Sequence, residues 1–433
     1  MWSARHGSVS GFRQHAAANE PANEGGLFAL PVGTLKIPGC LVCDTGSPTS
    51  SRSQSMQNEE RRYLSVGKEK FQDLVAAAQA GGQLSEEHLG KWRYRRVVRS
   101  FRSLPAGTTL FGDTIVYGYP KIGRLSRLDT GLTAQFSHPF WVEEKVDGYN
   151  VRIFQHAGEV LAITRRGYIC PFTTDRLRDF IDTRLFEAHP ELVLCAEVAG
   201  PENPYNRDSP PYVSEDIGLF VFDLMRKDRQ GFLAHREKEQ LLCEYRVPEV
   251  CQYGRYELEN LPRLAQLARE LDSAGREGMV LKEDSSQDRR AKYVTGRINL
   301  ADLRVGSTAI KQLPAEYFTQ RILRLGLFLE EHHIERTPDL YRELGEALIE
   351  GILEAVDRWR QEGKVADQFR CRFHRKENAE LMLEALYRLL GKGHVQRQVL
   401  EPRGEYYVLE FSKALPKTTG LLAHLLRGGL VFD

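Results

Sequence analysis

The first regular pattern of apolar residues begins at Lys68 and ends at the pair Gly81-Gly82. Its apolar positions are Phe71, Leu74, Val75 and Ala78. Because this spacing places all four on one helical face, it predicts an amphipathic helix.

Between residues 111 and 306 the apolar runs become short, which predicts β-strands. Residues 151–154 and 160–164 flank a turn at residues 156–159 and predict a β-hairpin. Further short runs lie at residues 192–198, 219–224 and 278–282. This part of the chain is therefore expected to be rich in strands.

After residue 315 the pattern becomes helical. Thr337 followed by Pro338 is typical of a helix N-cap and first helical position. The apolar residues that follow on one face are Leu340, Leu344, Leu348, Ile352, Val356 and Trp359. A second run stops at Gly391 and contains Leu381, Leu383, Leu386, Leu389 and Leu390. Such faces need partners, so either a helical domain or an oligomer interface is expected.

These patterns predict five segments, namely residues 1–58, 59–110, 111–306, 307–363 and 364–433. The first is rich in Ala, Gly, Ser, Asn and Pro and is predicted to be a disordered extension. Met56, just before the first ordered pattern, is an alternative start to Met1. The second segment is predicted to be helical and basic.

Composition narrows the class of protein. With 60 basic and 59 acidic residues the formal charge is +1, which excludes a protein that coats polyanions by net charge. No run approaches 18 apolar residues, so no transmembrane helix and no membrane partner are expected. The seven cysteines are an odd, scattered set, which favours reduced thiols and a cytoplasmic protein. Cys40 and Cys43 form a CxxC pair, but no second pair follows at zinc-site spacing.

Residues 91–102 hold six basic side chains interleaved with Trp92, Tyr94 and Phe101. Basic groups neutralise phosphates and aromatic faces stack on unpaired bases, so this mixture suits a nucleic-acid track. The alternative is a solvated helix face whose aromatic side chains lie in the core.

The candidate chemistry starts at Lys145-x-Asp147-Gly148, directly before a predicted strand. This motif is weak by itself, but an ordered series follows it. The series comprises Thr164-Arg165-Arg166-Gly167, Glu197 within residues 194–200, Phe220-Val221-Phe222-Asp223, Glu277 to Lys282, and Arg290-Ala291-Lys292. Together with the Lys145 motif these make six fragments, and six in this order are not expected by chance.

The series resembles the covalent nucleotidyltransferase superfamily of ATP-dependent DNA and RNA ligases and mRNA capping enzymes, over roughly residues 115–300. Within it the chain is most similar to the archaeal-type homodimeric RNA ligases. The additional similarity lies in residues 116–124, 143–152, 169–173 and 200–205, and in Asn150, where many DNA ligases carry arginine. The chain departs from the usual Lys-x-Lys motif, which here is Arg290-x-Lys292.

The resemblance implies an α+β fold, with an ATP-grasp-like nucleotidyltransferase domain of antiparallel sheets and helices over residues 111–306. A helical C-terminal region would follow, with a dimerisation domain over residues 307–363, and the protein would be a homodimer. The implied substrates are ATP and single-stranded RNA ends, with single-stranded DNA ends as the alternative acceptor and Mg²⁺ or Mn²⁺ as metal.

The resemblance also implies roles for individual residues. Lys145 would carry AMP, and Lys282 and Lys292 would neutralise the transferring phosphate. Glu197 would bind the ribose and Glu277 the metal, with Glu197 as a further metal ligand. The other nucleotide contacts would be Glu144 to the adenine amino group, Phe222 (alternative Phe220) to the adenine ring, Arg165 (alternative Arg166) to the ribose or phosphate, and Asn150 to the acceptor end.

Elementary chemistry agrees with this scheme. A lysine amine can attack the α-phosphate of ATP, hold AMP as a phosphoramidate and pass it to a 5′-phosphate. The amine must be neutral to attack, so we expect nearby cations, namely Lys282, Lys292 and Mg²⁺, to lower the pKa of Lys145.

The leading hypothesis is an ATP-dependent RNA ligase that joins or circularises 5′-phosphate and 3′-hydroxyl ends. A DNA ligase or a capping-type guanylyltransferase would share the first covalent step. A non-catalytic RNA-binding protein on a ligase fold is the alternative of another class, and it predicts no covalent nucleotide.

Overall fold

Helix α1 (Lys68–Ala80) opens the part of the chain that the computed structural model describes, residues 68–431. It packs on a four-stranded antiparallel sheet of order β1-β2-β3-β4. The strands are β1 (Leu84–Leu89), β2 (Trp92–Val97), β3 (Thr109–Phe111) and β4 (Thr114–Val116). The helix predicted from residue 68 is confirmed. The predictions for residues 1–58, including the alternative start at Met56 and the Cys40/Cys43 pair, lie outside the described residues.

The basic stretch of residues 91–102 contains strand β2, so the helix predicted for this part of residues 59–110 is wrong, whereas the core position that the alternative gave to the aromatic side chains is confirmed for Tyr94. Its alternating pattern buries Tyr94, whose ring stacks on Phe111 with centroids 4.9 Å apart. Arg96 Nε donates to Glu87 on the neighbouring strand at 2.8 Å. Tyr94 therefore belongs to the core and not to a base-stacking surface.

Two further sheets carry the motif series. One has the order β10-β9-β7-β8 and the other the order β11-β6-β12-β13-β5, antiparallel except for the pair β13 and β5. Their strands are β5 (Gly123–Arg124), β6 (Phe140–Lys145), β7 (Tyr149–His156), β8 (Glu159–Thr164), β9 (Leu192–Ala199), β10 (Gly218–Arg226), β11 (Gln252–Tyr256), β12 (Gly278–Glu283) and β13 (Arg290–Val294). The predicted hairpin and the three predicted apolar strands are confirmed.

Helices cover these sheets and complete two cores. They are α2 (Leu128–Gln135), α3 (Pro171–Arg176), α4 (Arg184–Ala188), α5 (His235–Glu244) and α6 (Leu261–Ser273), with 3₁₀ turns at Leu177–Asp179 and Leu258–Asn260. Phe172 of α3 packs with Leu194 of β9 in one core, and Leu264 of α6 packs with Val142 and Leu281 in the other. The architecture is α+β, as predicted.

Three long helices follow, α7 (Gly296–Thr308), α8 (Ala315–Glu331) and α9 (Pro338–Glu362). The predicted cap is confirmed, because Thr337 Oγ1 accepts from the Leu340 amide at 3.2 Å. The most buried residues of α9 are small, namely Ala347, Gly351 and Ala355. A β-carbon at Gly351 would lie 2.1 Å from Ser307 Oγ, so glycine permits the close approach of α9 to α7.

The last part of the chain contains strands that the apolar pattern did not reveal. A sheet of order β14-β16-β15 carries helices α10 (Lys376–Leu390) and α11 (Pro416–Leu426). Its strands are β14 (Ala366–Phe373), β15 (Val395–Arg403) and β16 (Tyr406–Ala414). The predicted helix that stops at Gly391 is confirmed. The segment boundaries predicted at residues 110 and 306 each fall inside a regular element, β3 and α7.

Helix α10 packs on the sheets that carry the motif series. Met382, Leu383 and Leu386 are buried in the same core as Phe172 and Leu194. Of the two alternatives left open for this apolar run, the oligomer interface is wrong for Leu383 and Leu386, because the chain itself covers them.

All five cysteines within residues 68–431 are free thiols. Within the same range no helix is long and apolar enough to cross a bilayer.

Candidate active site

A cavity of about 520 Å³ lies where the two motif-bearing sheets meet. Strands β6, β12 and β13 form one side, and strands β7 to β10 form the other. Eight of the nine predicted site residues line it, namely Glu144, Lys145, Asn150, Arg165, Glu197, Phe222, Lys282 and Lys292. The ninth, Glu277, contacts Lys145. Residues spread over about 150 positions of sequence thus converge on one site, of a size suited to a small ligand.

Lys145 occupies the last position of β6, opposite Gly278 of β12. This pairing brings Glu277 beside it, and Lys145 Nζ lies 2.5 Å from Glu277 Oε2. Burial alone would lower the pKa of Lys145, but Glu277 and Glu197 outweigh it and raise the pKa above its usual value. The expectation of a lowered pKa is therefore wrong, because the nearest charges are carboxylates.

Three carboxylates surround the amine. Glu197 lies opposite Asn150 in the pairing of β9 with β7. Burial, and then repulsion from Glu277 and Asp147, raise the pKa of Glu197 to about 8. Burial and Glu277 likewise raise the pKa of Asp147 to about 7. The three carboxyl groups are thus too close together, and too deeply buried, for all of them to ionise readily. A bound cation would relieve the repulsion between them.

Gly148 explains why the motif needs glycine at this position. A β-carbon there would lie 2.4 Å from the Val198 carbonyl oxygen and 3.0 Å from Glu197 Cγ. Only glycine lets the loop after Lys145 approach the strand that carries Glu197 so closely.

The two basic residues of the last motif have different surroundings. Arg290 donates to Asp223 Oδ2 at 2.7 Å, and its guanidinium lies 3.6 Å from the Phe232 ring centroid. Lys292 lines the cavity, where burial and then the charges of Lys145 and Arg124 lower its pKa to about 8. Lys292 is therefore the basic residue of this motif that faces the site.

Lys282 lies in a buried network of charges that the sequence did not reveal. Its ammonium is 2.5 Å from Glu143 Oε2 and 2.9 Å from Asp223 Oδ1. Lys238 of α5 binds the other oxygen of Glu143 at 2.6 Å. Lys282 is thus held rigidly in the cavity wall by two carboxylates, and its contact with phosphate stays a prediction.

Glu144 is buried. Its Oε1 accepts from Arg276 at 2.6 Å, and Arg276 in turn lies 3.6 Å from the Tyr212 ring centroid. Phe222 lines the cavity, whereas Phe220 is not among the lining residues and packs against Tyr212. The choice of Phe222 for the cavity wall is supported.

Arg165 and Arg166 both line the cavity from the turn after β8. Both are exposed. The positive charge of Arg165 lowers the pKa values of Glu197 and Lys292. Its effect on these two pKa values supports the choice of Arg165 over Arg166.

Arg152 holds this turn in place, a role that was not predicted from the sequence. It is fully buried and donates to the carbonyl oxygens of Tyr117 at 2.6 Å, Gly107 at 2.9 Å and Thr164 at 2.9 Å. Burial lowers its pKa to about 10, so the guanidinium stays charged at neutral pH. One side chain thus joins the first sheet to the turn that carries Arg165.

Replacing Arg152 by methionine is expected to lower the free energy of unfolding by roughly 3 kcal/mol or more, because three buried carbonyls lose a charged donor. Urea denaturation would measure the change. The matched control is Arg236→Met on the exposed side of α5, expected to change stability by about 0.5 kcal/mol or less. Equal stability of the two variants would contradict the assigned role of Arg152.

Several other lining residues were not predicted. They are Tyr119, Ile122, Glu143, Val146, Tyr149, Tyr168, Tyr205, Val250, Val280, Leu389 and Leu390. Most are apolar or aromatic residues whose types are equally common in any core, so type alone could not single them out.

Comparisons with known proteins agree with this geometry. The profile of the RNA ligase family matches residues 138–294, and that of the Ligase Pab1020 C-terminal region matches residues 306–429. A solved structure from Aquifex aeolicus, described as a putative ATP-dependent DNA ligase, is 46% identical, covers 83% of this chain and 100% of its own, and gives a TM-score of 0.79.

Two further relatives are more distant. One crystal form of an archaeal ATP-dependent RNA ligase is 29% identical, covers 84% of this chain and 100% of its own, and gives a TM-score of 0.75. An uncharacterized protein of Methanocaldococcus jannaschii is 28% identical over 303 residues, which are 67% of this chain and 76% of that protein.

The fold and the cavity are those of a covalent nucleotidyltransferase. Within that superfamily, the chain belongs to the family of archaeal-type ATP-dependent RNA ligases. Its two matched regions together cover strands β6 to β13 and all the elements from α8 to α11.

Proposed function

We propose that the protein is an ATP-dependent RNA ligase that joins a 5′-phosphate to a 3′-hydroxyl through a lysyl-AMP intermediate on Lys145. The observation that carries the proposal is the convergence of Lys145, Glu197 and Lys292 in one cavity, with Glu277 in contact with Lys145. Nucleophile, carboxylates and a cation for the phosphate are the parts that this chemistry requires.

The first step forms a bond between Lys145 Nζ and the α-phosphorus of ATP. The ammonium first releases a proton to water, and the bond from the α-phosphorus to pyrophosphate then breaks. Glu197 contacts the ribose and Phe222 stacks on adenine. Lys292, Lys282 and Arg165 stabilise the charge that develops on the phosphoryl oxygens.

The later steps move AMP and then release it. An oxygen of the RNA 5′-phosphate attacks the AMP phosphorus, the P–N bond breaks, and Lys145 leaves as an amine that takes up a proton. The 3′-oxygen of the second end, held near Asn150, then attacks the 5′-phosphorus. AMP leaves and the hydroxyl proton is released.

The carboxylates fit a divalent cation. Within residues 68–431 no three His, Cys, Asp or Glu side chains form a complete metal site. Mg²⁺ or Mn²⁺ needs few carboxylates when ATP phosphates and water supply its other ligands. Glu277 and Glu197 would hold it, because a cation would offset the repulsion between these carboxylates and favour the ionised form of Glu197. When bound, the cation would offset the carboxylate charge and favour the neutral form of the Lys145 amine.

A second candidate is a DNA ligase, favoured by the name of the Aquifex aeolicus relative. Incubation with radiolabelled ATP or GTP followed by denaturing electrophoresis tests the covalent step, and label is expected from ATP alone. Sealing assays with matched single-stranded RNA, single-stranded DNA and nicked duplex DNA then identify the acceptor. Faster sealing of nicked DNA than of RNA would overturn the RNA assignment.

The pH dependence of ATP binding provides a test of Lys292. Its pKa of about 8 means that the ammonium is charged below pH 8 and neutral above it. The affinity for ATP, measured by calorimetry with EDTA present, is therefore expected to fall as the pH rises from 7 to 9.

Lys292→Arg is the matched variant, because a guanidinium keeps its charge throughout this range. Ionisation of Glu197 also weakens binding at high pH, but it does so in both proteins. The wild type should therefore show the larger loss. Parallel pH profiles would contradict the assignment.

We also propose that the protein is a homodimer in solution. Helices α8 and α9 expose large apolar side chains, with Leu323, Tyr341, Ile349 and Leu353 each at least half exposed. Light scattering at micromolar concentration is expected to give the dimer mass. Leu353→Asp is expected to give the monomer, whereas the control Leu426→Asp on α11 should leave the dimer intact. A monomeric wild type would contradict the proposal.

A further inference from the structure

The cavity has two apolar walls that belong to different cores. Val146 and Val250 pack with Phe222 in a small cluster of their own. Tyr149 and Tyr205 pack edge to face, with centroids 4.6 Å apart, against the core that contains α10. An adenosine nucleotide has only one base, so the second wall has no counterpart in ATP.

The end of α10 extends the second wall. Leu389 and Leu390 are the last two residues of the helix and line the cavity, yet they are 42% and 43% exposed. Gly391, with φ +89°, then turns the chain away. Two adjacent leucines left partly exposed in the lining of this cavity indicate an apolar group that covers them when ligand is bound.

This helix end is a fixed wall. The Tyr205 hydroxyl lies 3.9 Å from Met382 Sδ, two turns before the leucines. Arg388 Nη2 lies 2.9 Å from His88 Nε2 of strand β1. The wall is therefore formed before a ligand binds, so binding costs little conformational entropy.

The charges around these leucines suit a phosphate-bearing ligand. Arg165 and Arg166 line the same cavity and are exposed, and Lys392 is exposed just beyond α10. The carboxylates Glu143 and Glu144 are already bound by Lys238, Lys282 and Arg276. An apolar wall beside available cations favours a nucleotide over a purely apolar ligand.

We infer that Leu389, Leu390 and Tyr205 bind the base of the RNA nucleotide that carries the 5′-phosphate. The inference rests on the proposed function and extends it. In the second step that phosphate is bonded directly to the AMP phosphate, so its own nucleoside must lie within the same cavity. The adenine of AMP occupies the Phe222 wall, and the RNA base occupies the wall completed by the C-terminal region.

The test uses the full-length protein with Leu389→Ala and Leu390→Ala combined. Self-adenylation with ATP is expected to stay within about twofold of wild type, which also shows that the variant folds. The KM for pre-adenylated RNA is expected to rise by on the order of 10-fold, the size of one lost base contact. The rate at saturating RNA should change little.

Leu425→Ala combined with Leu426→Ala is the matched control, because these leucines of α11 are similarly exposed at 40% and 39% and do not line the cavity. It should seal RNA like the wild type. A second probe is pre-adenylated RNA with an abasic 5′-terminal nucleotide. It should raise the KM of the wild type to that of the Leu389/Leu390 variant and have little further effect on the variant.

Three results would overturn the inference: an unchanged KM for RNA, a raised KM for ATP in self-adenylation, or an equal effect of the abasic RNA on both proteins. Failure of the wild type to form lysyl-AMP would instead contradict the proposed function. The two failures are therefore distinguishable.

Discussion

Replacing Lys145 by alanine is expected to abolish self-adenylation while leaving the sealing of chemically pre-adenylated RNA measurable. Lys145 Nζ is the atom that would carry AMP, and neither of the other two lysines that line the cavity has equivalent surroundings. Lys282 is held by Glu143 and Asp223, and Lys292 lies on β13, two strands away from β6. Sealing of pre-adenylated RNA needs no lysine–AMP bond, so that step can persist.

Single-turnover kinetics of both steps would measure this difference. Lys121→Ala is the matched control, because this lysine is exposed and does not line the cavity. It should adenylate like the wild type. Covalent AMP on the Lys145→Ala protein would show that the nucleophile is elsewhere.

Replacing Lys292 by alanine has the second-largest expected effect. It leaves the nucleophile in place but removes a cation beside the transferring phosphate. Loss of one preorganised donor typically costs on the order of 10²–10³ in rate. Both self-adenylation and the sealing of pre-adenylated RNA should slow, because the AMP phosphate carries developing charge in the first step and leaves in the last.

Lys292→Arg keeps the charge and should restore part of both rates. Its recovery will be incomplete, because a planar guanidinium does not place its charge where an ammonium does. Normal rates in Lys292→Ala would contradict a role at the phosphate. A defect confined to one step would assign Lys292 to that step alone.

The sequence was sufficient to predict which residues meet in the site. The motifs follow the order of the nucleotidyltransferase superfamily, and that resemblance implied their convergence. Glu197 and Asn150 are register partners, and Lys145 lies opposite the residue after Glu277. The strands that carry these residues were predictable because their short apolar runs can be recognised in the sequence.

The sequence was not sufficient to predict the electrostatics. The pKa of Lys145 was expected to fall because Lys282 and Lys292 belong to the same motif series. The structure instead places Lys282 among Glu143 and Asp223, and surrounds Lys145 with carboxylates. Charge pairing depends on register between distant strands, which residue spacing along the chain does not encode.

The C-terminal strands were missed for a different reason. Strand β15 has six exposed positions among its nine and contains Pro402, so it lacks the apolar alternation expected of a strand. In β14, Phe369, Cys371 and Phe373 do alternate as buried residues, and this signal could have been recognised. The contribution of Leu389 and Leu390 to the cavity depends on how this sheet and α10 pack, which no local pattern predicts.

Intact mass spectrometry of the wild-type protein after incubation with ATP and Mg²⁺ tests the central claim most directly. We expect the mass to increase by one adenylate, which acid should remove because a phosphoramidate is acid-labile. Peptide mapping should place the adenylate on Lys145. A protein that gains no adenylate, or gains it on another residue, would contradict the proposed mechanism.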